Sequence, residues 1–353
     1  MGIPELLEEA RRYREGDGVG KDPAKAAEIL SDLSAQGVPE ASASLGYMYL
    51  VGEGVAKDAD SARRHLEIAA ESGDPKSMCN LGVLFSESDP ERAKEWFVRA
   101  ADAGSITAMR NLAATDAESA MDWLNRAADL GDPDSICVLA SKYRNGDGVP
   151  VDKAHAAELY RRAADAGDME AQYDFAFMLD SGEGIPEDRA EAERYFRLSA
   201  DQGDTDACLC IGGILFERGD YGEAESYFFN AAMKDDVRAQ YNLGLLYSGG
   251  YLGEPDNEKA REWFEMSADQ GFILSHTMVG NMDLDAGDVK GAEAHFRIAS
   301  DAGEPTAQYN LGALGLSGQI KMGFEEAVGL ISRSAQQGFQ PALEVLMRLN
   351  SSG

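Results

Sequence analysis

Between Val38 and Gly73 the chain reads VPEASASLGYMYLVGEGVAKDADSARRHLEIAAESG, and this stretch decides how the rest is read. Its closing phrase, Ala69-Ala70-Glu71-Ser72-Gly73, returns as Ala100-Ala101-Asp102-Ala103-Gly104, Ala127-Ala128-Asp129-Leu130-Gly131 and Ala163-Ala164-Asp165-Ala166-Gly167. Looser copies end at Gly37, Gly203, Gly271, Gly303 and Gly338, and one ends at Asp235. Self-similarity at periods of 27 to 36 residues marks a repeat architecture. The phrases divide the 353 residues into units 1–37, 38–73, 74–104, 105–131, 132–167, 168–203, 204–235, 236–271, 272–303 and 304–338, with a closing helix over 339–353.

Each unit reads as two helices. The first carries a Leu-Gly pair with an aromatic nearby: Leu45-Gly46 with Tyr49, Leu81-Gly82 with Phe85, Leu243-Gly244 with Tyr247. Gly costs about 1 kcal/mol relative to Ala inside a helix, so its recurrence there points to close approach by the second helix. That second helix sets apolar groups at helical spacing on one face, as in Ala93, Trp96, Phe97 and Ala100, or Ala260, Trp263, Phe264 and Ser267.

The punctuation agrees. The Gly closing each unit suits the left-handed residue after a helix C-terminus, and Asp at 235 tolerates that conformation better than most residues. Asp74-Pro75 and Asp132-Pro133 then offer an N-cap and a first-turn proline for the next helix, and Glu304-Pro305 keeps the order. Six units hold a Gly-rich loop between their helices, such as Gly52-Glu53-Gly54-Val55; units 74–104, 105–131, 204–235 and 272–303 lack it. Length variation is thus absorbed in loops along one edge. The expected fold is all-α: one right-handed superhelical α/α solenoid over 1–353, of about ten helix-turn-helix repeats plus a C-terminal half repeat.

The residues quoted above resemble the Sel1-like repeat family, a relative of the tetratricopeptide repeat. Val38 to Gly73, Asp132 to Gly167 and Asp168 to Gly203 show nearly the whole pattern, A-x-x-x-L-G-x-x-[YF]-x-x-G-x-G-V-x-x-D ending in A-A-x-x-G. The four short units depart from it, as does the first, where Glu9-Ala10 stands for Leu-Gly. The resemblance implies a non-enzymatic adaptor that holds protein partners. A cysteine-rich secreted branch of the family pairs two cysteines per repeat; Cys79, Cys137, Cys208 and Cys210 follow no such spacing, which disfavours that branch.

Composition narrows the partners. Sixty-three acidic against 32 basic residues give a net charge of −31, which argues against nucleic acid or an anionic membrane, since both need clustered Lys and Arg. Two readings of the acidic excess stand side by side: a charged surface that keeps the protein soluble, or a groove or rim that steers a basic partner. No apolar run approaches the ~18 residues of a membrane span, and the start, Met-Gly-Ile-Pro-Glu-Leu-Leu-Glu-Glu, has neither the basic nor the apolar part of a leader. A cytoplasmic location is expected, a removed leader being the alternative.

Catalytic and ligand motifs are absent or broken. Gly16-Asp-Gly-Val-Gly-Lys21-Asp22 has Glu15 where a phosphate loop needs its first Gly and Asp22 where Ser or Thr must stand. Asp283-Leu-Asp285-Ala-Gly287-Asp288 places its Gly one residue late for a calcium loop, with no closing Glu. His65 and His295 fall in the column that holds Trp96, Trp123, Tyr195, Tyr227 and Trp263, and read as packing substitutes. No enzyme, cofactor or metal is expected. A spacer or oligomerisation element is the alternative function, and a small-ligand-binding or cell-wall-related enzyme a third.

If first helices line a concave face, residues pointing away from the Leu-Gly pair would meet a protein or peptide partner there. Aromatics of this kind are Tyr47, Tyr173, Phe177, Tyr241 and Tyr309, and exposed aromatics anchor interfaces. Polar candidates are Lys76, Asn80, Arg110, Asn111, Arg238 and Asn242, and Lys76 and Asn80 followed by Arg110 and Asn111 most resemble the clamp by which tetratricopeptide domains hold a terminal carboxylate. The competing reading is repeat consensus, with the tyrosines packing between neighbouring helices.

Overall fold

The computed structural model describes residues 2–351, and among these it holds 21 α-helices and no strand. The helices fall into two compact units divided at Ala166 and Gly167.

The first unit comprises α1 (Ile3–Glu15), α2 (Pro23–Ala35), α3 (Pro39–Val51), α4 (Ala59–Glu71), α5 (Pro75–Phe85), α6 (Pro90–Asp102), α7 (Ile106–Thr115), α8 (Ala120–Asp129), α9 (Pro133–Asn145) and α10 (Lys153–Asp165). Each odd helix packs on the even helix that follows, and each even helix on the next odd one. The second unit repeats the scheme with α11 (Met169–Ser181), α12 (Arg189–Gln202), α13 (Thr205–Arg218), α14 (Tyr221–Ala232), α15 (Val237–Ser248), α16 (Asn257–Asp269), α17 (Ile273–Asp285), α18 (Val289–Asp301), α19 (Pro305–Leu316), α20 (Phe324–Gln336) and a last, unpaired α21 (Gln340–Ser351). Both units are all-α solenoid stacks of helix pairs.

Local chemistry accounts for the helix boundaries. Asp74 and Asp132 cap α5 and α9 by accepting from Ser77 N and Ser135 N at 2.8 and 3.0 Å, with proline in the first turn. Glu304 caps α19 in the same way. A left-handed residue lies one to three positions past each even helix: Gly73 after α4 has φ of 95°, and Asp235 after α14, at 62°, is the one non-glycine with positive φ among the described residues.

The Leu-Gly pairs set the helix spacing. A Cβ on Gly244 would lie 2.5 Å from the fully buried Phe264 ring, and one on Gly82 2.5 Å from Phe97. The first repeat, residues 1–37, has Glu9-Ala10 instead and buries Ala10 at that point. Cores between paired helices are built of Ala, Leu and Phe, for example Leu66, Leu81, Phe97 and Leu112.

A set of polar pairs, unforeseen in the sequence, joins the first helix to the second in three repeats of the second unit, α11 to α12, α15 to α16 and α19 to α20. Gln172, Gln240 and Gln308 are buried, and each accepts through Oε1 from the side-chain amide of Gln202, Gln270 or Gln337 at 2.8, 3.0 and 3.0 Å. Beside them Ser199, Ser267 and Ser334 donate to the Met169, Val237 and Pro305 carbonyls at 3.0, 2.8 and 2.7 Å. Buried polar groups are expected to be satisfied in this way.

Candidate binding groove

In the first unit, Asp74 caps the start of α5, and Lys76 and Asn80, at i and i+4, share one face of that helix. On α3, Ala43 and Tyr47 hold the same relation. These residues, with Glu40, line a groove of about 920 Å³ bounded by Arg14 of α1 and by Ser105 and Thr107 at the start of α7. A second depression of about 420 Å³ shares Arg14, Glu40 and Ser44 and continues to Pro4 and Leu7 of α1.

The groove's charges differ in how they are used. Arg14 is 2.8 Å from Glu53 and stands over the Tyr47 ring at 5.1 Å. Asp74 is engaged as a cap, bonded to both the amide and the hydroxyl of Ser77. Lys76 and Glu40 are exposed and have no ion-pair partner among the described residues, and the half-buried Asn80 amide makes no hydrogen bond among them. The groove thus offers an aromatic face, one unmatched cation, one unmatched anion and an open amide.

Of the residues foreseen from the sequence, Tyr47, Lys76 and Asn80 come together here. Arg110 and Asn111 do not join them. Arg110 pairs with Asp134 and lies 3.9 Å from Asp132, while Asn111 donates to Cys79 Sγ at 3.9 Å. Arg14 and Thr107 also line the groove; Arg14 is legible in the sequence only as a first-helix residue of a repeat whose consensus is weak.

The candidates in the second unit are largely engaged internally. Arg238 is held by Asp206 and Asp236 at 2.6 and 2.7 Å. Tyr173 packs against Phe196, and burial pushes its hydroxyl up to about 12. Tyr241 is tilted against Phe264 and Phe272, and Tyr309 against Phe339, so both are half-buried packing groups. Phe177 is exposed on α11, and the half-buried Asn242 amide makes no hydrogen bond among the described residues.

Other groups suspected of chemistry are also in structural use. His65 stacks on Tyr49 and bonds Ser34 Oγ at 3.0 Å. His295 Nδ1 lies 3.0 Å from His276 Nδ1. Asp283 sits inside helix α17, buried, with Arg261 at 2.8 Å. The four cysteines form no disulfide, and burial pushes the Cys210 thiol up to about 11. Among the described residues no helix is long and apolar enough to cross a membrane.

A family model for the Sel1 repeat matches eight stretches: 10–37, 39–74, 75–105, 111–132, 133–168, 170–204, 237–272 and 305–339. The chain belongs to the Sel1 repeat family. Three of these Sel1 repeats, 10–37, 39–74 and 75–105, carry most of the groove. A solved structure of c5321, described as a protective antigen of uropathogenic Escherichia coli with this fold, is 30% identical over 97% of this chain and 78% of its own, with a TM-score of 0.80. A Sel1 repeat protein from Oxalobacter formigenes is 26% identical over 79% and 86% of the two chains, TM-score 0.61. Among curated proteins, the DAP3-binding cell death enhancer 1 of Mus musculus is 26% identical over 174 residues. The match spans 37% of this chain and 34% of the mouse protein, about a third of its length.

Proposed function

We propose that this Sel1 repeat protein is a non-enzymatic interaction scaffold whose first-unit groove, between α1, α3, α5 and α7, receives an extended segment of a protein partner. The observation that carries the reading is the groove itself: concave, lined by Tyr47, and holding polar groups that no neighbour satisfies. Pockets of several hundred Å³ with an apolar wall and a few convergent polar groups are ordinary ligand sites. Family membership supports it, since Sel1 repeat proteins generally mediate protein–protein interaction and are generally not enzymes; the mouse relative is named for binding a protein. A cytoplasmic setting belongs to the same proposal and rests on four cysteines that form no disulfide with one another.

The test is site-specific photo-crosslinking in the native cell. A photoreactive residue at Tyr47 should trap a discrete partner, and one at Ile68, exposed on α4, should not. Trapping from Ile68 with none from Tyr47 would overturn the groove as the docking site and favour the spacer or assembly reading.

A further inference from the structure

We infer that the exposed face of α12, α14, α16 and α18, in the second unit, is a docking surface for a basic amphipathic helix of a partner protein. The surface is separate from the first-unit groove, and neither reading depends on the other.

The argument begins at one column of the repeat, the residue immediately before the pair of small residues that ends each second helix. In the first unit that column, after Ile68, holds Arg99, Arg126 and Arg162. Arg99 and Arg126 lie over the rings of Trp96 and Trp123 at 4.1 and 4.5 Å, and Arg162 donates to the Ala128 carbonyl. The repeat therefore accepts a cation there and closes its core without an apolar residue. In the second unit the column turns apolar. It holds Leu198, Met266 and Ile298, and on α14 Phe229 and Met233 flank Asn230. These five apolar side chains are between 39% and 64% exposed. Phe229 packs edge-on against Trp263, ring centroids 6.0 Å apart, which carries the surface from α14 to α16. Arg333 on α20 restores the cation. Single exposed apolar residues need no explanation. Five on four successive second helices, at or beside a position where the same fold elsewhere places arginine, mark an interaction surface.

Charge and spacing identify the occupant. Asp201, Asp269 and Asp301 directly follow the small pairs, and Asp235 holds the same edge beside α14. These exposed carboxylates stand at or just past the C-terminal ends of four second helices, where the helix dipole is already negative. The cations nearest this edge in sequence are held internally: Arg197 by Glu193 and Glu223, Arg297 by Glu293, and Lys234 by the Gly203 carbonyl. A second copy of the chain would set carboxylates against carboxylates, and an anionic membrane would meet the same repulsion. A segment with Lys or Arg beside its apolar residues is the complement. Packed helices lie about 10 Å apart, and seven residues of α-helix rise about 10.5 Å. A partner helix with an apolar residue at every seventh position thus presents one to each second helix in turn. An extended chain advances about 3.3 Å per residue, so the three-residue step nearest that spacing would throw successive apolar groups to opposite sides.

The test is selection from a displayed library of four-heptad helices, randomised along the seam and beside it, on the full chain. Binders are then measured against Leu198→Arg/Met266→Arg, which copies the first-unit column, against Asp269→Asn/Asp301→Asn, and against Ile68→Arg as a control, with melting temperatures confirming that each variant is folded. The expected binders carry apolar residues at seven-residue spacing and a several-fold excess of Lys and Arg beside them. They should bind the double arginine variant about tenfold more weakly, as loss of buried anchors implies, bind the asparagine variant several-fold more weakly, and bind Ile68→Arg like the parent. Binders without the basic excess or without the spacing, binders indifferent to the double arginine variant, or no binders at all would overturn the inference. So would a dimer of the parent chain, seen by sedimentation velocity and dispersed by the two arginines, since the occupant would then be a second copy. None of these outcomes bears on the groove, which is tested at Tyr47.

Discussion

Gln270 donates its side-chain amide to Gln240 Oε1 at 3.0 Å, across the pair α15 and α16, while Gln240 Nε2 lies buried with no acceptor among the described residues. The two partners are therefore unequal. Gln270 is exposed and can turn to water; Gln240 is fully buried and cannot. Gln270→Ala should destabilise the protein by about 1–3 kcal/mol, the cost of orphaning a buried acceptor. Gln240→Leu removes an amide that is already half unsatisfied and should fall within about 1 kcal/mol of the parent. Urea denaturation of the two variants checks the order, and a larger loss from Gln240→Leu would contradict it.

Gly244→Ala sets two effects in opposition. Helix propensity favours Ala by about 1 kcal/mol, but the added methyl carbon would stand 2.5 Å from the Phe264 ring. Phe264 is fully buried with little room to move, and overpacking of this kind costs about 1–3 kcal/mol. Net destabilisation is expected, and Gly244→Ala combined with Phe264→Leu should recover part of it. Thermal melts of the single and double variants are the measurement.

Asp235, at φ of 62°, occupies the position that glycine holds after the other even helices of complete repeats. Asp235→Gly removes left-handed strain at some cost in backbone entropy and should stabilise by about 0.5–1 kcal/mol. Asp235→Val, β-branched, should destabilise. A fall in melting temperature for the glycine variant would show that the aspartate does more than tolerate its conformation.

Much of this was legible beforehand, for identifiable reasons. The Ala-Ala phrase, the Leu-Gly pairs and the Asp-Pro caps each act within one helix or one turn, so their chemistry is visible in adjacent letters. Pairings such as Gln202 with Gln172, Ser267 with the Val237 carbonyl, or Arg238 with Asp206 span 30 to 32 residues. They are invisible until the repeats are set side by side and the side chains placed. The groove shows the same division. Tyr47, Lys76 and Asn80 were marked by their column, but Arg110 looked equally available because its partner Asp134 lies on the next first helix.

Acid should weaken the second unit through His276. Burial first, and then His295, hold its pKa below the ordinary value, against an opposing pull from Asp269. The unfolded chain, with a pKa near about 6.5, binds the proton more readily. This group's contribution is therefore complete above that pH and is lost as pH falls from there toward the lowered folded value. His65 is lowered in the same sense by burial and then by Arg64, and adds to the slope in the first unit. Melting temperature should drop between pH 7.5 and 5.5, and His276→Gln should flatten the drop; an unchanged slope would remove His276 as a cause.

Within each of the two units the helices pack on their neighbours in the chain, which has a consequence for how the molecule comes into being. The Gln couplets, the serine–carbonyl bonds and the Leu-Gly contacts each close over at most about one repeat of chain. A nascent polypeptide could satisfy them as soon as that much sequence has cleared the ribosome, without waiting for its C-terminal half. Short-range closure of this kind favours rapid, vectorial folding. The segment that builds the groove, complete by Thr107, would then be ready for a partner while most of the chain is still being synthesised.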